Sequence, residues 1–470
     1  MSARQYSQRT DARRRTLVKA LLMVPAVGVA RASTPIALPT TVSLSGARRG
    51  TQDCEVLDTI DRLKSYSGSA GRVYLKAAQY NASVARFYVR SNARDGVDGA
   101  KRGPAIEDAR GRTWWPDTKP LVDIRRFGQL GGRDASGLLA CALNEPGIDV
   151  WVPSDLKIAV VDAPLGSGTT LVIDGVVSMC EKAPMSAAVF VNDAGANGNA
   201  RIFIVGGGAI NGAKESQAAD ATHELIRFTN CSAVTVDIAR AGGNRYRQDK
   251  QGISGAAIHI KGGADHAVSV GHLSNYGREG IWLYDVSHST VKATETAGGD
   301  ESWSGVQVGG PTSMFNRIES VTVHQAGASG IGCDSRNSLV LDCVSRENAY
   351  FHGFNFGHAG QPADGTTGLR LVSFSAGTKG TGNDDFNGLS VVNGSRGVRL
   401  VDCVVNRAFR DGFNISAGAD DCLLERCHAR GSGRYGLHAS HARVVARNCE
   451  FGGNALGAIS PASEGDITLG

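Results

Sequence analysis

The chain reads as an all-β protein: a right-handed parallel β-helix, a single-stranded solenoid, preceded by a small α+β cap. Three observations predict it. First, a glycine followed by an apolar residue recurs at Gly280-Ile281, Gly305-Val306, Gly330-Ile331, Gly353-Phe354, Gly388-Leu389, Gly412-Phe413, Gly436-Leu437 and Gly457-Ala458, at intervals of 25, 25, 23, 35, 24, 24 and 21 residues. Second, an alternating apolar-polar strand precedes most of these glycines by about 13 residues, as in VRLVDCVV, CLLERCHA and RVVARNCE. Third, glycine is abundant (61 of 470 residues) while proline is scarce (13), which fits many tight turns between short strands and neither collagen nor Pro-rich disorder. A unit of strand, turn, glycine and second strand cannot bury its apolar side alone, and stacking closes the core.

The elements follow in order. Residues 1–32 have the form of an export signal: Arg14-Arg15-Thr16-Leu17-Val18-Lys19 resembles the twin-arginine motif, Ala20 to Val29 is an apolar stretch, and Ala30-Arg31-Ala32 has the small-x-small form of a cleavage site. The apolar stretch is too short to span a bilayer, so no integral span is expected in the mature chain. Residues 33–57 form a polar linker, and 58–117 a small α+β cap with a short helix over DTIDRLKSY and strands over GRVYLKAAQY and ARFYVRSN. The solenoid is expected over 118–463, with a tail at 464–470. The long interval between Gly353 and Gly388 predicts an insertion, placed at HAGQPADGTTG (358–368).

The formal charge of +5 is concentrated at the start. Residues 1–32 carry seven basic residues and one acid, a charge of +6, which leaves the remainder at −1. That balance gives no global basic field for nucleic acid or an anionic membrane. Cys343, Cys403, Cys427 and Cys449 hold one strand position in different repeats, which predicts an inward column of buried thiols, mostly free.

Successive rungs lie about 4.8 Å apart, so sequence columns become spatial columns. The position before the repeated glycine reads Glu279, Ser304, Ser329, His352, Asn387, Asp411 and Tyr435. Two residues after it stand Trp282, Gln307, Gly332, Asn355, Ser390, Asn414 and His438. Aromatics that stack on sugar rings, with amides, Arg and carboxylates that bond hydroxyls, line carbohydrate clefts in this way. Two patches stand out. One holds Tyr276, Arg278, Glu279, Trp282 and Tyr284, with Asp300, Glu301 and Trp303 a rung on. The other holds His352, Asp384, Asp385, Arg410, Asp411 and Tyr435. Asp385 with Asp411, or Glu279 with Glu301, could make the carboxylate pair of a glycosidase. Alternatively, Arg410 could neutralise a uronate while His352 or Tyr435 removes a proton. Asn355 and Asn414 join Trp282, Trp303, Arg278 and Tyr435 as expected substrate contacts. Turn Asp and Asn also bond local backbone, the structural alternative for each.

LVDIRRFGQLGGRD (121–134), a helix-like stretch through Leu143 and the strand DVWVP (149–153) resemble the entry into pectate-lyase-like right-handed β-helix proteins. The preceding cap resembles the N-terminal module of tailspike-type depolymerases and of bacterial exopolysaccharide-associated β-helix proteins. Asp384-Asp385 matches the Asp pair of polygalacturonase-type hydrolases, without the NTD and GHG motifs that accompany it there. The resemblance implies an exported polysaccharide-processing enzyme, a hydrolase, lyase or epimerase acting on an extracellular exopolysaccharide. The alternative is a non-catalytic polysaccharide-binding or exopolysaccharide-assembly protein. No cofactor is expected, although GGDES (298–302) and GNDD (382–385) could hold a cation. The expected partners are polysaccharide and, during translocation, the twin-arginine machinery. The expected location is the periplasm or the exterior. A monomer is expected, and a trimer is what the tailspike resemblance would imply.

Overall fold

The computed structural model describes residues 54–57, 64–66, 72–75, 87–90, 106–110, 113–116, 119–130, 134–247, 254–298, 302–463 and 467–470, apart from single residues 359, 383, 393 and 441. The export signal, most of the linker, most of the helix expected at 58–66, and Asp300 and Glu301 lie outside the described residues. Among the described residues no helix is long and apolar enough to cross a membrane.

The cap contains a five-stranded sheet in the order Cys54–Leu57, Arg72–Leu75, Phe87–Arg90, Thr113–Pro116, Ile106–Glu107. Its first strand falls in the segment expected to be linker, and runs parallel to Arg72–Leu75. Trp114 is fully buried, edge-on to Tyr66, and donates through Nε1 to Asp108 Oδ2 at 2.7 Å.

The remainder is the right-handed parallel β-helix. Its strands form a 20-stranded and a 12-stranded sheet whose pairings are all parallel. The helix Ser136–Asn144 covers the first rung, burying Leu139 and Ala142 in the same core as Val150 and Leu165. Down the 12-stranded sheet, Ile258, Ile281, Val306, Ile331, Phe354, Leu389, Phe413 and Leu437 stack in register and point inward, all essentially inaccessible.

The repeated glycine has a steric cause. A Cβ at Gly280, Gly330, Gly353 or Gly388 would stand 2.4–2.7 Å from the carbonyl oxygen of the next rung's glycine. At these four rungs a residue without a side chain is what lets the stack close.

The segments read as single alternating strands are bent. Leu339–Leu341 and Val344–Arg346 flank Asp342, Arg399–Val401 and Val404–Asn406 flank Asp402, and Cys422–Glu425 and His428–Arg430 flank Arg426. Each flanked residue is left-handed, with φ of 54°, 54° and 51°. One αL residue turns the chain without a loop, and the next side chain points inward. Cys343, Cys403 and Cys427 are buried there, Leu371 takes the intervening rung, and Cys449 is partly exposed. The nine cysteines from Cys141 to Cys449 are free.

The long interval is divided. Within it lie two ordinary rung strands, Thr367–Leu369 and Val372–Phe374. The added chain falls partly at 357–366 and partly at 375–387, where Phe386 packs against Tyr350, Phe351 and Phe409.

A polar ladder fixes one corner of the stack. Ser289 N–H donates to Asn316 Oδ1 (2.9 Å), Asn316 N–H to Ser338 Oγ (3.0 Å) and Ser338 N–H to Thr366 Oγ1 (3.1 Å). These side chains satisfy buried backbone donors one rung away.

Candidate functional site

The strand register places one outward column on the 12-stranded sheet: Arg227, His259, Trp282, Gln307, Gly332, Asn355, Ser390, Asn414 and His438. Its members touch along the column. The His259 and Trp282 rings stack at 4.9 Å, and Asn414 Nδ2 donates to Ser390 Oγ at 3.1 Å. Gln307 lies down over Gly332, where any Cβ would strike its Oε1, and donates through Nε2 to Asp334 Oδ2 at 2.6 Å. Burial pushes the Asp334 carboxyl up to about 8, with the Gln307 hydrogen bond opposing. Asp334 Oδ1, Asn355 Oδ1 and His438 Nδ1 are buried with no hydrogen-bond partner among the described residues.

The column beside it, one residue before the repeated glycine, divides into two halves. In the lower half it is a ladder. Asn387 N–H donates to His352 Nδ1 (3.1 Å), Asp411 N–H to Asn387 Oδ1 (3.0 Å) and Tyr435 N–H to Asp411 Oδ1 (3.1 Å). Accepting through Nδ1, His352 in its neutral form carries its proton on Nε2. Burial moves its pKa down, against the pull of Asp385. The Asp411 side chain, wholly inaccessible, takes a bidentate pair from Arg434 (3.2 and 2.7 Å) and has Arg410 Nε at 3.7 Å. Asp385 is the exposed member, with 46% of its side chain accessible; it accepts from Asn387 Nδ2 (2.9 Å) and pairs with Arg410 (3.3 Å). Its burial raises its pKa, but His352, Asn387, Arg410 and Arg434 together bring it below the usual carboxylate range. Asp384 accepts from Thr381 N–H at 2.9 Å and closes its own turn. Arg434 lies over the Tyr435 ring at 5.6 Å.

The upper half is built differently. Register extends the column two rungs above Glu279, through Ala256 to Glu224. Glu224 is wholly buried, and its Oε1 accepts from Ser254 Oγ and faces His259 Nδ1 at 3.1 Å. Arg227 reaches to 3.6 Å from its Oε2. Glu279 is 4% accessible and pairs with Arg278 at 3.2 Å. The Arg278 guanidinium lies 4.9 Å from the Trp282 and Trp303 rings and 6.0 Å from Tyr246. Burial pushes the Glu279 carboxyl up to about 7, with Arg278 opposing and the Glu224 charge adding. Oε2 of each glutamate is buried without a hydrogen bond among the described residues.

The structure thus brings together Arg278, Glu279, Trp282 and Trp303 at one end, and His352, Asp385, Arg410, Asp411 and Tyr435 at the other. Asn355 and Asn414 lie on the outward column nearer the second end. Glu301 lies outside the described residues. The sequence reading reaches Arg434 only as a member of the column two residues before the repeated glycine, and Glu224, Arg227 and His259 not at all. The I-x-I-like strands LIRF, IHIK, IWLY and VQVG would have revealed these three, because they continue the alternation above the first repeated glycine. Among the described residues no cluster of three His, Cys, Asp or Glu side chains is arranged to hold a metal ion.

No family model matches the chain, and no curated protein matches it in sequence. Solved structures do. The N-terminal fragment of bacteriophage phi29 gene product 12 superposes with a TM-score of 0.54 at 14% identity, over 74% of this chain and 65% of that one. This chain therefore spans just under two thirds of that fragment's length, and the likeness establishes the parallel β-helix fold. The catalytic domain of Agl-KA (TM-score 0.47, 11% identity, 76% and 71% covered) and the A-module of the Azotobacter vinelandii mannuronan C-5 epimerase AlgE6 (0.46, 11%, 74% and 99%) are more distant.

Proposed function

We propose that the protein is an exported polysaccharide-processing enzyme whose substrate lies along the outer face of the 12-stranded sheet. The observation that carries this is the outward column itself. Aromatic, imidazole and amide groups run along it in register, and buried polar atoms on and beside it, at Asp334, Asn355 and His438, have no hydrogen-bond partner among the described residues. An unsatisfied buried polar atom is costly unless something else bonds it. Sugar hydroxyls supply such bonds. The Arg14-Arg15 leader supports export, and an extracellular polysaccharide is the substrate an exported groove would meet.

A non-catalytic polysaccharide-binding role has one observation in its favour. The His352, Asn387 and Asp411 side chains are engaged by backbone N–H groups of the next rung, a structural duty. Incubating the full chain with a panel of neutral and acidic polysaccharides separates the two. The enzyme reading expects new reducing ends, unsaturation or altered sugar configuration in at least one polymer. Binding without any such change supports the alternative. Neither binding nor change in any polymer overturns both.

A further inference from the structure

We propose that two copies of this chain pair in solution through the outer face of the 20-stranded sheet, around a two-fold axis that sets their solenoids antiparallel.

The first observation is a column of charges that alternates in sign. At the bend between paired strands, successive rungs carry Asp342, Arg370, Asp402 and Arg426, all in left-handed geometry. Their side chains are 44%, 52%, 38% and 47% accessible, so the column faces solvent. Ser320 precedes them at the same bend and Asn448 follows, and neutral polar residues therefore bound the charged run. Within the chain Arg370 forks onto Asp342 (2.6 and 2.8 Å), and Arg426 onto Asp402 (2.7 and 3.0 Å). Both pairs place the acid before the base, which makes two dipoles aligned along the solenoid. Exposed pairs contribute little to a fold, so the stack itself does not require the alternation.

Aliphatic side chains border the column on both sides. Leu341, Leu369 and Val401 precede the bend residues on three adjoining rungs, and Val344, Val372 and Val404 follow them. All six point outward and are partly exposed. A contiguous block of outward aliphatics is what an interaction surface offers.

Charge determines what covers it. Two copies meeting face to face on a two-fold axis can run parallel or antiparallel. In the parallel case every charge meets its own equivalent, acid on acid and base on base. In the antiparallel case, with the axis between the rungs of Arg370 and Asp402, the order reverses. Asp342 then meets the partner's Arg426, and Arg370 meets the partner's Asp402, each contact occurring twice by symmetry. The same operation sets Leu369 opposite the partner's Val401, and Val372 opposite the partner's Val404, at the centre. One rung outward Leu341 and Val344 meet the partner's Glu425 and His428, which gives the apolar centre a polar rim. This face belongs to the 20-stranded sheet, so the outward column of the 12-stranded sheet is not used by the contact.

The test is the mass of the full chain by sedimentation equilibrium, over a concentration series into the micromolar range. A dimer is expected, and it should weaken as salt is raised. Each solenoid keeps its own core, so mass and not melting is the readout. Arg370→Glu sets an acid opposite the partner's Asp402 and is expected to weaken the dimer at least about tenfold, with an unchanged circular dichroism spectrum. Exchanging all four charges (Asp342→Arg, Arg370→Asp, Asp402→Arg and Arg426→Asp) restores the pairs within a copy and the pairs between copies. That chain is expected to dimerise like wild type, and it keeps the test open if Arg370→Glu fails to fold. Tagged wild type should capture untagged wild type but not the exchanged chain, because in the mixed dimer every charge meets its like. A monomer at all concentrations overturns the proposal, as does a trimer. Dimerisation of folded Arg370→Glu within twofold of wild type overturns the surface. Capture of the exchanged chain by wild type overturns the antiparallel arrangement.

Discussion

The two halves of one column behave oppositely, although both carry acids at equivalent positions. Below, Asp411 lies between two arginines and accepts the N–H of the next rung, so its carboxylate is part of the scaffold. Above, Glu279 pairs with Arg278, and its Oε2 has no hydrogen bond among the described residues. Position in the repeat therefore does not determine a side chain's role. What decides it is whether the neighbouring rung supplies donors.

The largest effect should come from breaking the lower half. Asp411→Ala leaves Arg434 and Arg410 without their shared buried partner and removes an acceptor for Tyr435 N–H. A loss of about 3–5 kcal/mol is expected in denaturant unfolding at pH 7, typical of a buried pair that loses one member. The same experiment on Glu279→Gln should show little loss.

Asp334→Asn should sharpen the contrast in the opposite direction. The folded carboxyl is raised to about 8 from an ordinary value near 4, so its stabilising contribution is complete at low pH and is lost as pH rises through that window. The amide cannot ionise. The variant should gain about 1–3 kcal/mol over wild type on going from pH 5 to pH 9. An equal pH dependence in the two proteins would show that Asp334 does not titrate there.

Glu279→Gln should show a smaller version of this change. Its wild-type carboxyl is raised to about 7, so the window runs from about 4.5 to 7, with stability falling as pH rises. About 1–2 kcal/mol of that dependence should vanish in the variant, read from melting curves across the window. At the small end, Arg426→Ala removes an exposed pair with Asp402 on the opposite sheet, and the melting curve should be unchanged within error.

Much of the solenoid was legible because a steric rule writes itself into the sequence. The corner glycines are forced by the carbonyls of the next rung, so their spacing gives the rung length. The outward column from Trp282 to His438 follows from the same count, and the register reproduces it. What escaped notice has physical causes. At Leu225 and Ala257 the corner carries residues other than glycine, so a count anchored on glycine begins too late to reach Glu224 and His259. The bends at Asp342, Asp402 and Arg426 use αL geometry in residues with side chains, which leaves no turn signal. The duty of Asp411 depends on Arg434, 23 residues later, a partner that only the closed stack brings near.

The most direct test of the contrast is infrared difference spectroscopy of the full chain against Glu279→Gln as pH is raised. The wild-type protein should show a protonated carboxyl band, absent from the variant, that disappears with a midpoint near pH 7. A wild-type spectrum already free of that band at pH 5.5 would mean that Glu279 is ionised there, and would contradict the contrast drawn between the two halves of the column.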